Sequence, residues 1–316
     1  MTRRSLLLLP LAWIGPSRPA AADAIDVPIQ ALDRGLWWVP AAAGDGNAQD
    51  RGRVSNLLIA VQANQGWLIG SGPSPAFGRA LRAALDARWP RRHWTVVSAW
   101  PHPEAVLGVA GLGTVVHAGH AEVAQQMSER CAGCIERLKL RLGAAAVDLG
   151  SANPVRLPTV RLRGESGRLG PFDWWRLARD ARTTTTVWAH RASAVVFSPG
   201  LLWGAGAPDG RDAEIGELAA ATARLADLPG RPHPARWLGE QGPLQDDDAA
   251  AANTAHYWRA LLAAADEGLD RGDSGEQAPT ALPGVGSAML RDPHHALNWQ
   301  RVWRQAESRW LQRSLR

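Results

Sequence analysis

The chain has 316 residues and a mass of 33.9 kDa, of which 46% are hydrophobic and 21% charged. This length can bury a large core, and the apolar fraction excludes a wholly disordered protein. The formal net charge of +5, from 35 Lys and Arg against 30 Asp and Glu, is too small to require a nucleic-acid or membrane partner.

The N-terminus has the three parts of a secretory signal. Arg3 and Arg4 precede the apolar run Leu6–Ile14, and a small-residue stretch ends in Ala-Asp-Ala at 22–24. Residues 1–24 are therefore predicted to be a signal peptide that directs the protein to the periplasm or outside the cell. The arginine pair leaves both the twin-arginine and the general secretory route open. No later segment is apolar for long enough to span a membrane after signal removal.

In the first half of the mature chain, apolar spacing predicts a strand pair followed by alternating helices and strands. The strands are expected at Leu57–Val61, Gly66–Gly70, Trp94–Ala99 and Gly113–His117. The helices are expected at Phe77–Trp89, Glu104–Leu112 and His120–Leu142. This order favours an α/β or α+β layered fold.

The second half continues with short strands and then becomes helical. Strands are predicted at Thr159–Arg163, Thr185–His190, Ala194–Phe197 and Arg236–Leu238. Helices are predicted at Asp212–Leu228, Asp246–Asp270 and His294–Leu315, with Asp246–Asp248 at a helix N-terminus. The last helix carries Trp299, Trp303 and Trp310 on one face, for which docking on the body and partner binding are the alternatives.

The segment from Val97 to Gly108 resembles the H-x-H-x-D-H-x-x-G metal motif of the metallo-β-lactamase superfamily. Residues 67–72 resemble the opening strand pair of that family, and 195–201 and 238–243 resemble its G-D and G-H-G segments. The resemblance implies a four-layer αββα sandwich with the site at one edge of the two sheets. The implied division is a signal peptide (1–24), a metallo-β-lactamase-like domain (25–245) and a C-terminal helical extension packed on it (246–316).

Most of the metal positions implied by this resemblance have lost their ligands. They fall on Trp100, His102, Glu104, Ala105, Gly200 and Gln241, with Gly70 at the opening aspartate and Ala181–Arg182 near the third histidine. A hydrolytic zinc ion needs about three protein ligands and one open position. We therefore expect a non-catalytic protein that binds no zinc or other cofactor, in which Glu104 is the one candidate catalytic base.

The tail, with Asn298-Trp299-Gln300 and Glu307, resembles that of the exported quinoprotein relay system zinc metallohydrolases. This resemblance implies an accessory or binding role in periplasmic quinoprotein oxidation, with pyrroloquinoline quinone or c-type cytochromes as associates. The alternative is a metal-dependent hydrolase of an ester, thioester or lactam. Its rebuilt site would add a carboxylate or histidine from elsewhere, such as Asp180 or His190, to His102 and Glu104.

Cys131 and Cys134 are the only cysteines, and their spacing places them one helical turn apart. Export permits a disulfide, and this spacing brings the Cα atoms within bridging reach. The alternatives are a structural disulfide or two packed thiols, a thiol-redox pair, and a zinc site to which His117 and His120 contribute. Outside a zinc site, His120 is expected to cap a helix or to lie at the surface.

Two further polar runs have ordinary structural interpretations. Thr183–Thr186 suits a strand, although four hydroxyl groups could also contact an anion. His294-His295 is expected to be solvated or packed. Neither run carries a functional prediction.

Overall fold

The computed structural model describes residues 25–44, 46–204 and 206–314. The predicted signal peptide at 1–24 lies outside the described residues. Among the helices in the described part, none is both long and apolar enough to cross a bilayer.

Twelve strands form two sheets within this part of the chain. The first sheet has the order β1-β2-β3-β4-β5-β6-β7, and the second has the order β12-β11-β10-β9-β8. The first contains β1 (Gln30–Asp33), β2 (Leu36–Val39), β3 (Leu57–Gln62), β4 (Gln65–Ile69), β5 (His93–Ser98), β6 (Val116–His120) and β7 (Val160–Leu162). The second contains β8 (Ser166–Leu169), β9 (Phe172–Ala178), β10 (Thr184–His190), β11 (Val195–Ser198) and β12 (Arg236–Gly239). Strands β4 to β7 run parallel, as do β11 and β12.

Seven α-helices accompany the sheets in the described residues. They are α1 (Pro75–Arg88), α2 (Pro103–Val106), α3 (Ala121–Leu142), α4 (Ile215–Arg224), α5 (Ala250–Arg271), α6 (Ser287–Arg291) and α7 (Pro293–Ser314). A 3₁₀ turn at Leu107–Gly111 continues α2. His120 caps α3, since its Nδ1 accepts a hydrogen bond from the Glu122 N–H, as predicted.

Successive side chains of a strand point to opposite faces of its sheet, so each strand contributes to two layers of the core. In β3, Leu58 joins the cluster between the two sheets with Trp174 and Trp188, whereas Leu57 faces the other way, onto α1. Helices α4, α5 and α7 cover the outer face of the second sheet in one shared apolar cluster. The result is the four-layer αββα sandwich with a C-terminal helical extension that was predicted. The boundary at residue 245 stays a prediction.

Several boundaries differ from those expected. Strands β1, β2, β8 and β9 were not predicted, because three of them have only four residues and too little alternation to stand out. Helix α5 begins at Ala250 rather than Asp246, because Asp248 instead binds Arg231 and the backbone of Ala235. In α7, Trp299 and Trp303 pack on the body as one alternative predicted, while Trp310 stays exposed.

Candidate functional site

Polar side chains from three strand ends meet at one edge of the sandwich. His102 lies beyond the end of β5, and Glu240 directly follows β12. The Nδ1 atom of His102 lies 3.2 Å from Glu104 Oε2 and 3.5 Å from Glu240 Oε1. All three side chains are buried. Together with three other residues they form what we call the His102 cluster: Trp100, His102, Glu104, Arg179, Arg211 and Glu240.

Glu240 joins three loops in this cluster. Its Oε1 accepts a hydrogen bond from Ser55 Oγ at 3.1 Å, and its Oε2 accepts one from the Gly200 N–H at 3.0 Å. Burial raises the pKa of Glu240 to about 7, although Arg211 and Arg179 oppose that rise. The Glu240 carboxyl group therefore changes its charge near neutral pH, whereas Glu104, the other acid of the cluster, does not.

Glu104, the second acid of the cluster, lies on the short helix α2. Arg141 of α3 forms a salt bridge with its Oε1. Burial works to raise the pKa of Glu104, but its interactions with His102, Arg211 and Arg141 outweigh burial and hold it below the ordinary value. Burial also lowers the pKa of His102 to about 3. At pH 7 the site thus contains an ionised Glu104 and a neutral imidazole.

Trp100 fills the space at the centre of the cluster. Its indole stacks on the His102 ring, with centroids 4.7 Å apart and planes at 11°. The guanidinium carbon of Arg179 lies 4.4 Å from the centroid of the same indole. A methyl group added at Gly200 would lie 3.1 Å from the indole. An aspartate at Gly200, the expected bridging position, would therefore crowd the Trp100 indole, which would have to shift.

Arginine supplies the positive charge of the site. Arg179 is fully buried, and its Nη2 donates to the Asp209 carbonyl at 3.0 Å. Arg211 Nε lies 2.7 Å from a carboxylate oxygen of Asp209. Burial alone would lower the pKa of Arg211, yet Asp209, Glu104 and Glu240 raise it. Three carboxyl groups are thus surrounded by three guanidinium groups, those of Arg141, Arg179 and Arg211.

These residues do not fit a hydrolytic zinc ion. Ala105 and Gly200 have no side-chain atom that could ligate a metal, and the Trp100 indole occupies the space beside Gly200. The two glutamates near His102 already bind Arg141, Ser55 and a backbone N–H. Across residues 25–44, 46–204 and 206–314, no group of three His, Cys, Asp or Glu side chains is arranged to hold a metal ion.

The structure separates the other candidates from this cluster. Glu240, and not the neighbouring Gln241, contacts His102. Asp180 binds the Arg182 N–H and the Thr183 hydroxyl, and His190 binds Ser193, so neither joins His102. In the described residues, neither Asp180 nor His190 therefore supplies the extra ligand of the rebuilt metal site that the alternative requires. Gly70 lies at positive φ with Leu57 against it.

The threonines of β10 and the two cysteines take structural positions. Thr185 and Thr186 donate their hydroxyl groups to backbone carbonyls, as expected of a packed strand. Cys131 and Cys134 are both free thiols on α3. Burial raises the pKa of Cys131 to about 12 and also raises that of Cys134. A thiol held protonated is a poor nucleophile, which disfavours the thiol-redox alternative.

Sequence reasoning did not single out three members of the cluster, Arg179, Arg211 and Glu240, or the neighbouring Asp209. For Glu240 the available signal was its place in the Gly239-to-Gly242 segment, where Gln241 was chosen instead. For the arginines there was no signal, because 35 basic residues include a single lysine and arginine is therefore common everywhere.

No protein-family model and no curated protein matches this chain. Solved metallo-β-lactamase structures do match it. FIM-1 from Pseudomonas aeruginosa, solved in a mono-zinc form, is 13% identical with a TM-score of 0.54 over 75% of this chain and 97% of its own. The enzyme from Hirschia baltica is 12% identical with a TM-score of 0.56 over 73% and 97%.

A metallo-β-lactamase from Pontibacter korlensis is 14% identical with a TM-score of 0.57, covering 74% of this chain and 99% of its own. The chain therefore has the metallo-β-lactamase fold. At such low identity the likeness concerns the fold alone, so the chemistry of the site has to be argued from the residues of this chain.

Proposed function

We propose that this chain is an exported protein with a metallo-β-lactamase fold that does not carry out zinc-dependent hydrolysis and acts as a binding or accessory protein. The packing of Trp100 against Gly200 carries the proposal, because it fills space that a metal and its bridging aspartate would need. The salt bridge between Arg141 and Glu104 supports it further, since it occupies the one carboxylate kept from the motif.

Glu104 alone gives little chemistry. General base catalysis by one positioned carboxylate contributes about 10²–10⁴-fold. Its ionised form is stabilised by guanidinium groups, which also lowers its basicity. Without a Lewis acid, a water molecule that enters the site keeps a pKa of about 15.7. We infer that any residual hydrolysis is far slower than that of a zinc enzyme.

The test is metal content together with turnover. The purified mature chain is dialysed against zinc, passed through a desalting column and analysed for metal, then assayed on a chromogenic cephalosporin, a thioester and a carboxylic ester. We expect much less than one zinc ion per chain, no zinc-dependent turnover and no change in either on His102→Ala. One zinc ion per chain, lost together with activity in His102→Ala, overturns the proposal.

That overturning result would support the alternative, a metal-dependent hydrolase with a rebuilt site. One observation favours it, namely the approach of Glu104 and Glu240 to the same nitrogen of His102. The alternative predicts that Glu240→Gln lowers zinc content as much as His102→Ala does. Exposed Glu267→Gln serves as the control that changes charge elsewhere.

The accessory role in quinoprotein oxidation, with pyrroloquinoline quinone or a c-type cytochrome as associate, rests on the resemblance of the tail around Asn298 and Glu307. Periplasmic location after removal of residues 1–24 is part of the same proposal. Sequencing of the exported protein from its first residue tests the location. A mature N-terminus near Ile25 is expected, and an intact Met1 in the exported fraction contradicts it.

A further inference from the structure

Next to the His102 cluster, two adjoining depressions follow the C-terminal half of α3. They have volumes of about 370 and 590 Å³ and share Cys134, Arg137 and Asp212 in their walls. These volumes lie in the range of small-molecule sites. His102 lines the inner end of the smaller one. We call the pair the arginine groove after its five basic residues: Arg130, Arg137, Arg141, Arg211 and Arg301.

The groove has unbalanced charge. Asp180 and Asp212 are the acidic residues in its walls, against five arginines. Three of the arginines form salt bridges with buried carboxylates. Arg141 binds Glu104, and Arg211 and Arg301 both bind Asp209. The remaining two arginines share these walls with Asp180 and Asp212, so the groove offers a ligand two guanidinium groups rather than a large net positive charge.

Arg130 and Arg137 are those two. Arg130 Nη1 donates to the Thr183 hydroxyl at 2.9 Å, and Arg137 Nη2 donates to the Cys134 sulfur at 3.1 Å. Both partners are neutral, since the pKa of Cys134 is raised. Neither guanidinium group is within salt-bridge distance of a carboxylate in the described chain. A guanidinium group is well shaped to bind a carboxylate or phosphate through two parallel hydrogen bonds.

The end of the groove near His102 has an apolar wall. Leu140 and Pro103 line it, and Leu140 is 84% exposed although it is a large aliphatic side chain. Arg137 lines both depressions, so it lies between this apolar end and Arg130. A ligand that suits both ends has an anionic group and an apolar body.

We propose that the arginine groove binds a small organic anion, a carboxylate or phosphate ester whose charged group contacts Arg130 and Arg137 and whose apolar body lies against Leu140 and Pro103. This names the ligand class of the binding role proposed above and rests on it. The zinc and turnover assays decide the loss of hydrolysis, whereas the assays below decide the ligand, so the two can fail separately.

Cys134 is a natural reporter for the groove. The chain has two cysteines, and Cys131 is 1% exposed, so thiol reagents added to the folded protein modify Cys134 first. Methanethiosulfonates transfer a charged alkylthio group to the thiolate and release methanesulfinate. The rate with the anionic sulfonatoethyl reagent is divided by the rate with the cationic trimethylammonioethyl reagent, and this ratio is normalised to the same ratio for 2-mercaptoethanol. The normalised ratio cancels the reactivities of the thiol and of the two reagents and leaves the local potential.

We expect this normalised ratio to be severalfold above one, since guanidinium groups beside the thiol raise the local concentration of an anion. Arg130→Gln lowers the ratio, and Asp212→Asn raises it. Exposed Arg168→Gln, which removes a guanidinium group from β8, leaves it unchanged. A ratio near one, or equal effects of Arg130→Gln and Arg168→Gln, overturns the proposal.

Binding itself is measured by calorimetry with phenyl phosphate, benzoate and inorganic phosphate, and with benzyl alcohol as the neutral control. We expect phenyl phosphate or benzoate to bind more tightly than inorganic phosphate, to slow the modification of Cys134, and to lose affinity in Arg130→Gln and Arg137→Gln. Benzyl alcohol is expected not to bind. Equal binding of benzyl alcohol, or no binding of either aromatic anion, contradicts the proposal, and circular dichroism checks that the variants are folded.

Discussion

Two buried polar clusters face opposite sides of the same loop, and they are built differently. In the first, Asn298 donates to the Pro208 carbonyl and to Tyr257, and accepts from the Gly210 N–H. Tyr257 also contacts His295, whose other ring nitrogen binds the Pro279 carbonyl. This group, which we call the Tyr257 cluster, joins α5, α7 and the loop before α4 through side chains that all have hydrogen-bond partners.

The His102 cluster, on the other side of that loop, is charged and incompletely paired. Trp100 Nε1, His102 Nδ1, Glu104 Oε2 and two nitrogens of Arg179 are buried without a hydrogen bond in the described part of the structure. Buried polar atoms normally find partners, because leaving one unpaired costs about 1–3 kcal/mol. The Tyr257 cluster therefore has the character of a structural network, and the His102 cluster that of a site shaped by something other than stability.

The largest expected effect is at the Tyr257 cluster. Asn298→Ala leaves the Gly210 N–H, the Pro208 carbonyl and the Tyr257 hydroxyl without this partner, so we expect a loss of about 3–5 kcal/mol in the free energy of unfolding. Urea unfolding measures it. Asn253→Ala, at an exposed position of α5, is the control and should change stability by less than about 0.5 kcal/mol. Similar losses in both variants would remove the contrast.

The next effect concerns the pH dependence of stability at Glu240. Its pKa is raised from 4.5 to about 7 in the folded chain, so between these values the folded state binds more protons than the unfolded state. The contribution of Glu240 to stability is therefore complete below about pH 4.5 and is lost as pH rises through 7, by about 3 kcal/mol at most.

Glu240→Gln should remove this dependence. His102, whose pKa is lowered to about 3, acts in the opposite direction, because its burial destabilises the protein as pH falls below 6.5. We therefore subtract the free energy of unfolding of Glu240→Gln from that of the wild type at each pH, which cancels the contribution of His102. This difference should fall steadily between pH 5 and 7. Glu267→Gln, on the exposed face of α5, is expected to show no such difference. A flat difference curve for Glu240→Gln contradicts the assignment.

A smaller effect is expected from crowding at Gly200. Gly200 and Gly230 have nearly the same φ, 76° and 74°, but only Gly200 has a side chain close to the position of a new methyl group. Gly230→Ala should cost about 1 kcal/mol from backbone strain alone. Gly200→Ala should cost about 2–3 kcal/mol, since it also crowds Trp100. Equal costs would mean that the indole moves aside easily and does not fill the metal position.

The sequence was sufficient for the fold and for one side of the site. The order of strands and helices favoured a layered α/β or α+β fold. The resemblance of the motif around His102 to the metallo-β-lactamase superfamily implied the four-layer sandwich and the loss of ligands at Trp100, Ala105 and Gly200. These conclusions depend on the spacing of residues within short stretches of chain, which can be recognised in one sequence. The strands β1, β2 and β8 were missed because each has only four residues, and the seven-residue β9 was missed because its apolar and polar residues do not alternate regularly.

The other side of the site depends on contacts distant in sequence. Glu240 is 138 positions from His102, and Arg179 reaches Trp100 across a strand pair. Residue spacing cannot show which arginine of 35 basic residues turns inward. A motif shows that a metal ligand has been replaced. Only the folded structure shows which charged groups lie around that position.

The smallest effect compares two buried serine hydroxyls. Ser74 caps α1 by accepting the Phe77 N–H at 3.1 Å, whereas Ser198, two positions before Gly200, has no hydrogen-bond partner in the described structure. Ser74→Ala should therefore cost about 1 kcal/mol. Ser198→Ala should change stability by less than about 0.5 kcal/mol or stabilise the protein, because it removes a polar group that is already unpaired. A cost at Ser198 equal to that at Ser74, measured by urea unfolding, would mean that this hydroxyl is paired in solution and that the edge of the sandwich near Gly200 is no less complete than its helices.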